Sequence, residues 1–169
     1  MSQKIQNALI SIYDKNKIDV LLKCLKKYKI RMISSGGTYK EIIKLGYKCT
    51  EVSKFTNTKE ILDGRVKTLH PKIHAGILSK KNKKSHLAEL KKNNFEKIDL
   101  VIVNFYPFEQ TLRDTSNHQK IIEKIDIGGP TMVRGAAKNY QDVTVLTNTK
   151  QYNELISELN KNKGSTSLN

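Results

Sequence analysis

The sequence predicts an α/β fold with a mostly parallel sheet flanked by helices. Short apolar runs rich in β-branched residues alternate with segments in which apolar residues recur at helical spacing. The first segments follow the order strand, helix, strand, helix, strand, and that order implies parallel strands joined by right-handed crossovers. A length of 169 residues suits one domain with a core of its own, so neither disulfides nor metals are needed to hold it together.

The first half of the chain contributes three of the predicted strands. The run NALISIY is apolar and β-branched, as in a strand buried on both faces. In the next segment, apolar residues at helical spacing lie opposite lysines, which indicates an amphipathic helix. A glycine pair ends the second strand, and Gly46 closes the second helix. The predicted elements are strands at residues 7–13, 30–34 and 47–52, and helices at 17–28 and 39–45.

The second half begins with a long irregular stretch, residues 52–80, which carries the motif RVKTLHP. Such a stretch inside a compact domain is usually functional. Further on, DLVIVNF is the clearest buried strand, and Pro130 can begin a helix. The predicted elements are helices at 85–93, 118–124, 131–139 and 152–159, and strands at 99–105 and 143–146. We therefore expect a domain over residues 1–159 and the start of a linker over 160–169.

The net charge raises the question of nucleic-acid binding. The chain has 31 Lys and Arg against 16 Asp and Glu, a formal charge of +15. Only four of the basic residues are arginine, the residue that base readout and phosphate clamping favour. The lysines are spread over several segments, so we interpret most of them as solvated helix faces and expect no nucleic-acid partner. A phosphorylated small molecule is fully compatible with this charge.

Other features exclude several classes of protein. No apolar run approaches the ~20 residues of a membrane span, and the N-terminus has no apolar signal core. Cys24 and Cys49 form no metal-spaced pair, which indicates a reduced compartment and makes the cytoplasm the expected location. His70 and His74 are four residues apart, but no third ligand accompanies them, so we expect no metal site.

Polar and glycine-rich motifs follow the first two strands. SSGGT, residues 34–38, lies between a strand and a helix, where backbone N–H groups, hydroxyls and a helix N-terminus can hold a phosphate. The alternative is a glycine turn with Thr38 as the N-cap of the helix. Asp14 and Lys15 follow the first strand, and a solvated turn is the alternative interpretation there.

Three further motifs carry candidate functional groups. RVKT brings two cations and a hydroxyl onto one loop, NFYP ends the clearest strand, and DIGGP precedes a helix. Asp126 and Lys138 flank that helix, and complementing its dipole is the alternative role for both. Because ligands of open α/β sheets bind outside the carboxyl ends of the strands, we expect all these segments to converge on one site.

Taken together, the motifs ALISIYDK, SSGGT, GRVKTLHPKIHAGIL, DLVIVNFYPFEQT and IDIGGPTMVRGAAKNY resemble one family. The family is the N-terminal domain of the bifunctional purine-biosynthesis proteins that join inosine monophosphate (IMP) cyclohydrolase to aminoimidazole-carboxamide ribonucleotide formyltransferase. The resemblance covers residues 7–168, although SGGT also occurs in methylglyoxal synthase and in the regulatory domain of carbamoyl phosphate synthetase. It implies a three-layer methylglyoxal-synthase-like fold, a homodimer, and a formyltransferase domain beyond this piece of chain.

The resemblance also implies a reaction, in which 5-formamidoimidazole-4-carboxamide ribonucleotide loses water and closes to IMP without metal or organic cofactor. The carboxamide nitrogen is a poor nucleophile, so the protein must position it, move protons and stabilise an oxyanion. The positions that match the family's catalytic residues are Lys67, Tyr106, Asp126 and Lys138. We expect Lys138 and Asp126 to transfer protons, and Lys67 and Tyr106 to polarise the formyl oxygen.

The family's phosphate, ribose and base contacts fall on twelve further positions of this chain. They are Tyr13, Asp14, Lys15, Ser35, Gly36, Gly37, Thr38, Arg65, Thr68, Asn104, Ile127 and Gly128. Two rival functions share the fold. A nucleotide-binding regulatory module needs the phosphate cradle but not the catalytic residues, and a methylglyoxal synthase needs an acidic base beside the cradle and leaves DIGGP unexplained.

Overall fold

The computed structural model describes residues 2–167, which form a five-stranded sheet, a separate two-stranded ribbon and helices on both faces of the sheet. The strands are β1 (Ser2–Lys4), β2 (Asn7–Ile12), β3 (Arg31–Ser34), β4 (Thr50–Glu51), β5 (Leu100–Asn104), β6 (Thr144–Leu146) and β7 (Ser165–Ser167). The helices are α1 (Ile18–Lys27), α2 (Gly36–Lys44), α3 (Val52–Thr56), α4 (Pro71–Leu78), α5 (Lys84–Lys92), α6 (Phe108–Asp114), α7 (His118–Ile122), α8 (Gly128–Lys138) and α9 (Tyr152–Lys161), with a 3-10 turn at Thr149–Gln151.

The five-stranded sheet has the strand order β4-β3-β2-β5-β6, and all its pairings are parallel, which confirms the predicted sheet. The chain builds outward from β2 through β3 to β4, and then crosses to the other side of β2 to add β5 and β6. The order therefore reverses between β2 and β5. A crevice opens at such a point beyond the carboxyl ends of the strands, and it is where α/β sheets bind ligands.

Two hydrophobic clusters cover the two faces of the sheet, because successive residues of a buried strand point to opposite sides. Along β2, Ala8, Ile10 and Ile12 belong to the cluster under α1, α2 and α9. Leu9 belongs to the cluster under α3, α4 and α8. Each large side chain buried in this way contributes ~1.5–3 kcal/mol relative to exposure, so the three-layer arrangement follows from the apolar runs themselves.

The irregular stretch predicted over residues 52–80 is partly helical. The third predicted strand shrinks to Thr50–Glu51, because Val52 begins α3, and α4 fills the end of the stretch. Residues 57–70 between these helices are irregular, apart from a single bridge between Ile61 and Val66. The RVKT motif thus lies on a loop, as predicted.

Helix α6 has no counterpart in the sequence prediction. It buries none of its residues, so it carries no apolar stripe that periodicity could detect. Helix α8 begins at Gly128, and Pro130 is therefore its third residue rather than its first. Proline remains compatible with that position, because the first turn of a helix leaves its N–H groups without intrahelical partners.

The linker predicted from Asn160 is wrong for most of its length. Helix α9 runs on to Lys161, and Ser165–Ser167 forms β7, which pairs antiparallel with β1. The carboxylate of Glu158 accepts hydrogen bonds from the Ser167 amide and hydroxyl, which fix this strand to α9. Residues 160–167 therefore belong to the folded domain, while 168 and 169 lie outside the described residues.

Within residues 2–167, no helix combines the length and the apolar character needed to cross a membrane.

Thr38 joins the start of α2 to the end of β2. Its buried hydroxyl accepts a hydrogen bond from the Ile12 amide at 3.1 Å and donates one to the Ile12 carbonyl at 2.9 Å. We predict that Thr38→Val, which keeps the shape and removes both bonds, lowers the free energy of unfolding by about 1–3 kcal/mol, because a buried amide loses its partner. Urea unfolding measures the change.

The matched control is Thr147→Val, since the Thr147 side chain is exposed. We expect it to stay within about 0.5 kcal/mol of the parent protein. Equal stabilities for the two variants would contradict the role assigned to Thr38.

Candidate functional site

The candidate site is centred on Asn104, the last residue of β5, at the point where the strand order reverses. The Asn104 Oδ1 accepts hydrogen bonds from the amides of Tyr13 and Asp14 at 2.6 and 2.9 Å. Its Nδ2 donates to the Asp14 carbonyl at 2.9 Å. A single side chain therefore holds the turn that follows β2, and it brings three of the predicted binding residues together.

The glycines of SSGGT form the first turn of α2 beside this turn. Ser35 is the N-cap residue, Gly36 has a φ of +55°, and no side chain caps the helix. The amides of the first turn are free of intrahelical partners and carry the positive end of the helix dipole, which suits a phosphate. The expected phosphate cradle is thus present in form.

The Thr38 hydroxyl neither faces a phosphate nor caps the helix, the two roles considered in the sequence analysis. Its side chain points inward to Ile12 and does not cap α2, so the N-cap alternative is wrong. Because the hydroxyl is buried and already bonded, it supports the cradle from below.

Lys67 lies beside the cradle. A Cβ added to Gly36 would be 3.5 Å from the Lys67 Nζ, so the ammonium is in contact distance of the first turn of α2. The Nζ forms an ion pair with Glu60 at 2.5 Å, and the Lys67 side chain is only 28% exposed. Sequence reasoning missed Glu60, because nothing in the pattern TNTKE ties it to a residue seven positions further on.

Arg65, on the same loop as Lys67, is paired with a different acid. Its guanidinium pairs with the carboxylate of Glu123, just after α7, and this hydrogen bond is the main reason that the pKa of Arg65 is raised. Both side chains are largely exposed. Both cations of RVKT are therefore paired with acids, and an anionic ligand would have to compete with those acids for them.

The start of α8 closes the site from the face of the sheet that carries α4. Asp126 Oδ1 accepts a hydrogen bond from the Gly129 amide at 2.9 Å and so caps the first turn of the helix. A Cβ at position 128 would lie 2.5 Å from Thr68 Oγ1, which makes Gly128 necessary for this close approach. Ile127, between them, is 60% exposed. Asp126, Ile127, Gly128 and Thr68 are thus neighbours, as expected.

Aromatic rings flank the Asn104 centre. The rings of Tyr13 and Tyr106 lie 4.9 Å apart between centroids, and Lys124 Nζ lies 5.2 Å from the centre of the Tyr106 ring. Lys15 turns back, so that its ammonium donates to the Tyr13 carbonyl at 3.1 Å. Both tyrosines are nearly half exposed, so part of each ring is open to solvent.

Lys138 lies away from all these residues. It ends α8, which begins at Gly128, and at about 1.5 Å per residue the helix separates the two by roughly 15 Å along its axis. The next residue, Asn139, accepts a hydrogen bond from the Val143 amide just before β6 begins, so this end of α8 lies at the amino edge of the sheet. Within one chain, the expected proton-transfer pair of Lys138 and Asp126 is therefore not formed.

Two buried groups near the site were also missed. Tyr152 is 2% exposed, and burial together with the charge of Asp14 raises its pKa to about 12. His74 on α4 is half-buried, and burial lowers its pKa. Among the described residues, neither the Tyr152 hydroxyl nor the His74 Nε2 has a hydrogen-bond partner. In the sequence Tyr152 reads as an ordinary helix position, and His74 is considered only as a possible metal ligand.

The two histidines of LHPKIH act separately. The His70 Nδ1 accepts a hydrogen bond from the Lys72 amide, as the N-cap of α4, and its Nε2 lies 3.2 Å from the Thr58 hydroxyl. Across residues 2–167, no group of three or more His, Cys, Asp or Glu side chains is arranged to hold a metal ion.

Comparison with known proteins agrees with this fold. The chain is 47% identical over 93% of its length to the bifunctional purine biosynthesis protein PurH of Clostridium acetobutylicum, and 50% identical over 97% to that of Wigglesworthia glossinidia brevipalpis. It covers 32% and 31% of those proteins, so it spans about a third of the length of the curated relatives that it matches.

Among solved structures, the crystal structure of ForH is similar, with a TM-score of 0.83 and 30% sequence identity. The match covers 95% of this chain and 82% of that one. The profile of the MGS-like domain family matches residues 17–131, which include the phosphate cradle, the RVKT loop and the start of α8. These matches confirm the family resemblance and the fold expected from the motifs. The chain therefore belongs to the MGS-like domain family.

Proposed function

We propose that this site binds 5-formamidoimidazole-4-carboxamide ribonucleotide and closes its ring to give IMP, the final reaction of purine nucleotide synthesis. The observation that carries the proposal is the convergence of the α2 cradle, Lys67, Tyr106 and the start of α8 around Asn104. The name of the PurH relatives, which places them in purine biosynthesis, supports the same class of substrate.

The phosphate of the substrate binds at the first turn of α2 in this proposal. The free amides there, the dipole of the helix and the ammonium of Lys15 all favour a dianion. The base then extends along Asn104 towards Tyr106 and the start of α8. Its planar ring packs against the exposed face of Tyr106.

Ring closure joins the carboxamide nitrogen to the formyl carbon. One proton leaves the carboxamide nitrogen, one leaves the formamido nitrogen, and both depart with the formyl oxygen as water. Nucleophile and electrophile belong to the same molecule, so holding them in the reactive rotamer removes much of the entropic barrier. The remaining tasks of the protein are to stabilise the oxyanion and to move the two protons.

The residues near Asn104 can perform both tasks. The positive end of α8 and the ammonium of Lys67 stabilise the negative charge that develops on the formyl oxygen. Lys67 and Tyr106 each carry a proton that the leaving oxygen can take. Asp126, at the start of α8, accepts the carboxamide proton and passes it to the leaving oxygen. Lys67 donates the second proton of the departing water and is reprotonated by the formamido nitrogen. Because Lys138 lies at the other end of α8, we propose Lys67 in its place as the partner of Asp126.

A second candidate function is a nucleotide-binding regulatory module. The position of Lys138, outside the site of its own chain, is the observation that favours it. Such a module would use the cradle and Asn104 to bind a nucleotide without converting it. The homodimer, the cytoplasmic location and a formyltransferase domain elsewhere in the full-length protein also remain proposals. The partial coverage of the PurH relatives supports the last of these.

The test is a ring-closure assay. The protein is mixed with the formamido ribonucleotide in the presence of a chelator and without folate, and IMP is followed by absorbance. We expect acceleration far above the buffer rate. Tight binding of IMP without any acceleration would favour the regulatory module, and neither binding nor acceleration would reject both functions.

We predict that Lys67→Met lowers kcat for ring closure by ~100-fold or more, because it removes both a proton donor and a charge at the oxyanion. Lys44→Met is the matched control, since this side chain is 77% exposed on α2 and lies outside the site. Parent-like kcat in Lys67→Met would overturn the role of Lys67.

We predict that Lys138→Met keeps kcat within about twofold of the parent, because the length of α8 separates Lys138 by roughly 15 Å from the start of the helix, where the substrate reacts. The same absorbance assay measures it. A loss as large as that of Lys67→Met would show that Lys138 acts in catalysis after all, and that a single chain does not contain the complete site.

A further inference from the structure

Tyr152, the first residue of α9, is a buried polar group that no step of the proposed reaction uses. The side chain is 2% exposed, yet its hydroxyl has no hydrogen-bond partner among residues 2–167. An unpaired buried hydroxyl costs stability, typically about 1–3 kcal/mol, so its presence in a native protein calls for an explanation.

The surroundings of the hydroxyl belong to the candidate site. Asp14 and Asn104 are the polar side chains close enough to shift its pKa, although the hydroxyl makes no hydrogen bond to either. Burial and the negative charge of Asp14 keep the phenol protonated, with a pKa of about 12. The group therefore has one proton to donate and one oxygen that can accept.

The side-chain amide of Asn104 also has an unpaired hydrogen-bond donor. Its side-chain oxygen accepts from the amides of Tyr13 and Asp14, and its side-chain nitrogen donates one N–H to the Asp14 carbonyl. An asparagine amide carries two N–H groups, so one donor of Asn104 has no partner among the described residues. The unpaired N–H and the unpaired phenol are neighbours.

We propose that Tyr152 is a positioning residue of the nucleotide site, which acts through Asn104. When the ribonucleotide binds, the phenol oxygen accepts the second N–H of Asn104, and the phenol proton is donated to the carboxylate of Asp14. This inference rests on the function proposed above. It adds a residue that does not touch the substrate but completes the hydrogen bonds of Asn104, which anchors the turn that carries Tyr13 and Asp14.

These hydrogen bonds fix the orientation of the Asn104 side-chain amide, that is, the positions of its oxygen and its nitrogen. If the amide turned over, its NH2 group would face the amides of Tyr13 and Asp14, and donor would face donor. The turn after β2 would then lose its anchor. An acceptor at Tyr152 favours the orientation that keeps Tyr13 and Asp14 ready for the ligand.

The experiment compares Tyr152→Phe with Tyr28→Phe. The first variant removes only the unpaired hydroxyl. The second removes a hydroxyl that donates to Asn160 at 2.8 Å, between α1 and α9 and away from Asn104. For each variant and for the parent we would measure urea unfolding of the free protein, the Kd of IMP by calorimetry, and kcat and KM for ring closure.

We predict that Tyr152→Phe unfolds at the same or a higher urea concentration than the parent, because an unpaired hydroxyl has been removed. It binds IMP about 3- to 10-fold more weakly, the equivalent of one hydrogen bond, and KM rises by a similar factor while kcat is retained. Tyr28→Phe shows the opposite pattern, with slightly lower stability and unchanged IMP binding.

The outcomes separate this inference from the proposed function. If the parent binds IMP and closes the ring, and Tyr152→Phe does so with the same Kd and KM, Tyr152 is only a core residue and the inference is overturned. If the parent does neither, the proposed function fails, and the inference fails with it.

Discussion

The hydrogen bonds between the Asn104 side chain and the backbone of Tyr13 and Asp14 are the constraint on which the site depends. They cross from the end of β5 to the end of β2, between the two strands where the sheet order reverses. Parallel pairing in register, with Ile12 opposite Asn104, delivers the asparagine to that point. Thr38 then attaches the cradle of α2 to the same strand end through Ile12. The turn at Tyr13 and Asp14 and the cradle of α2 are thus held by the sheet.

Electrostatics in this site depends on a few paired charges rather than on the net charge of +15. Lys67 lies against Glu60 and Arg65 against Glu123, so the loop that carries both cations is already neutralised before a ligand arrives. The starts of α2 and α8 also provide positive potential. No side chain caps α2, and Asp126 bonds a single amide, that of Gly129, at the start of α8. A dianionic phosphate and a developing oxyanion are the two charges that such helix ends favour.

Much of this arrangement could be predicted from the sequence, because it follows from local pattern. The apolar runs predict β2, β3 and β5. Because the carboxyl ends of parallel strands lie at the same edge of the sheet, the sequence also predicts that the motifs of residues 34–38 and 65–68 lie near each other. What the sequence could not predict depends on contacts between distant residues. Neither the inward hydroxyl of Thr38 nor the approach of Tyr152 to Asn104 has a local signature. The pairing of β7 with β1 joins segments that are far apart in the sequence. The residues of β7 are small and polar, so the sequence predicts a linker there.

The most direct test of the account is a crystal structure of the protein with IMP. The account predicts the phosphate at the first turn of α2, the ribose beside the turn at Tyr13 and Asp14, and the base between Tyr106 and the start of α8, next to Asn104. It would be contradicted by IMP bound elsewhere, for example in the lysine-lined groove of Lys26, Lys29 and Lys48 at the opposite edge of the sheet, with the Asn104 centre left empty.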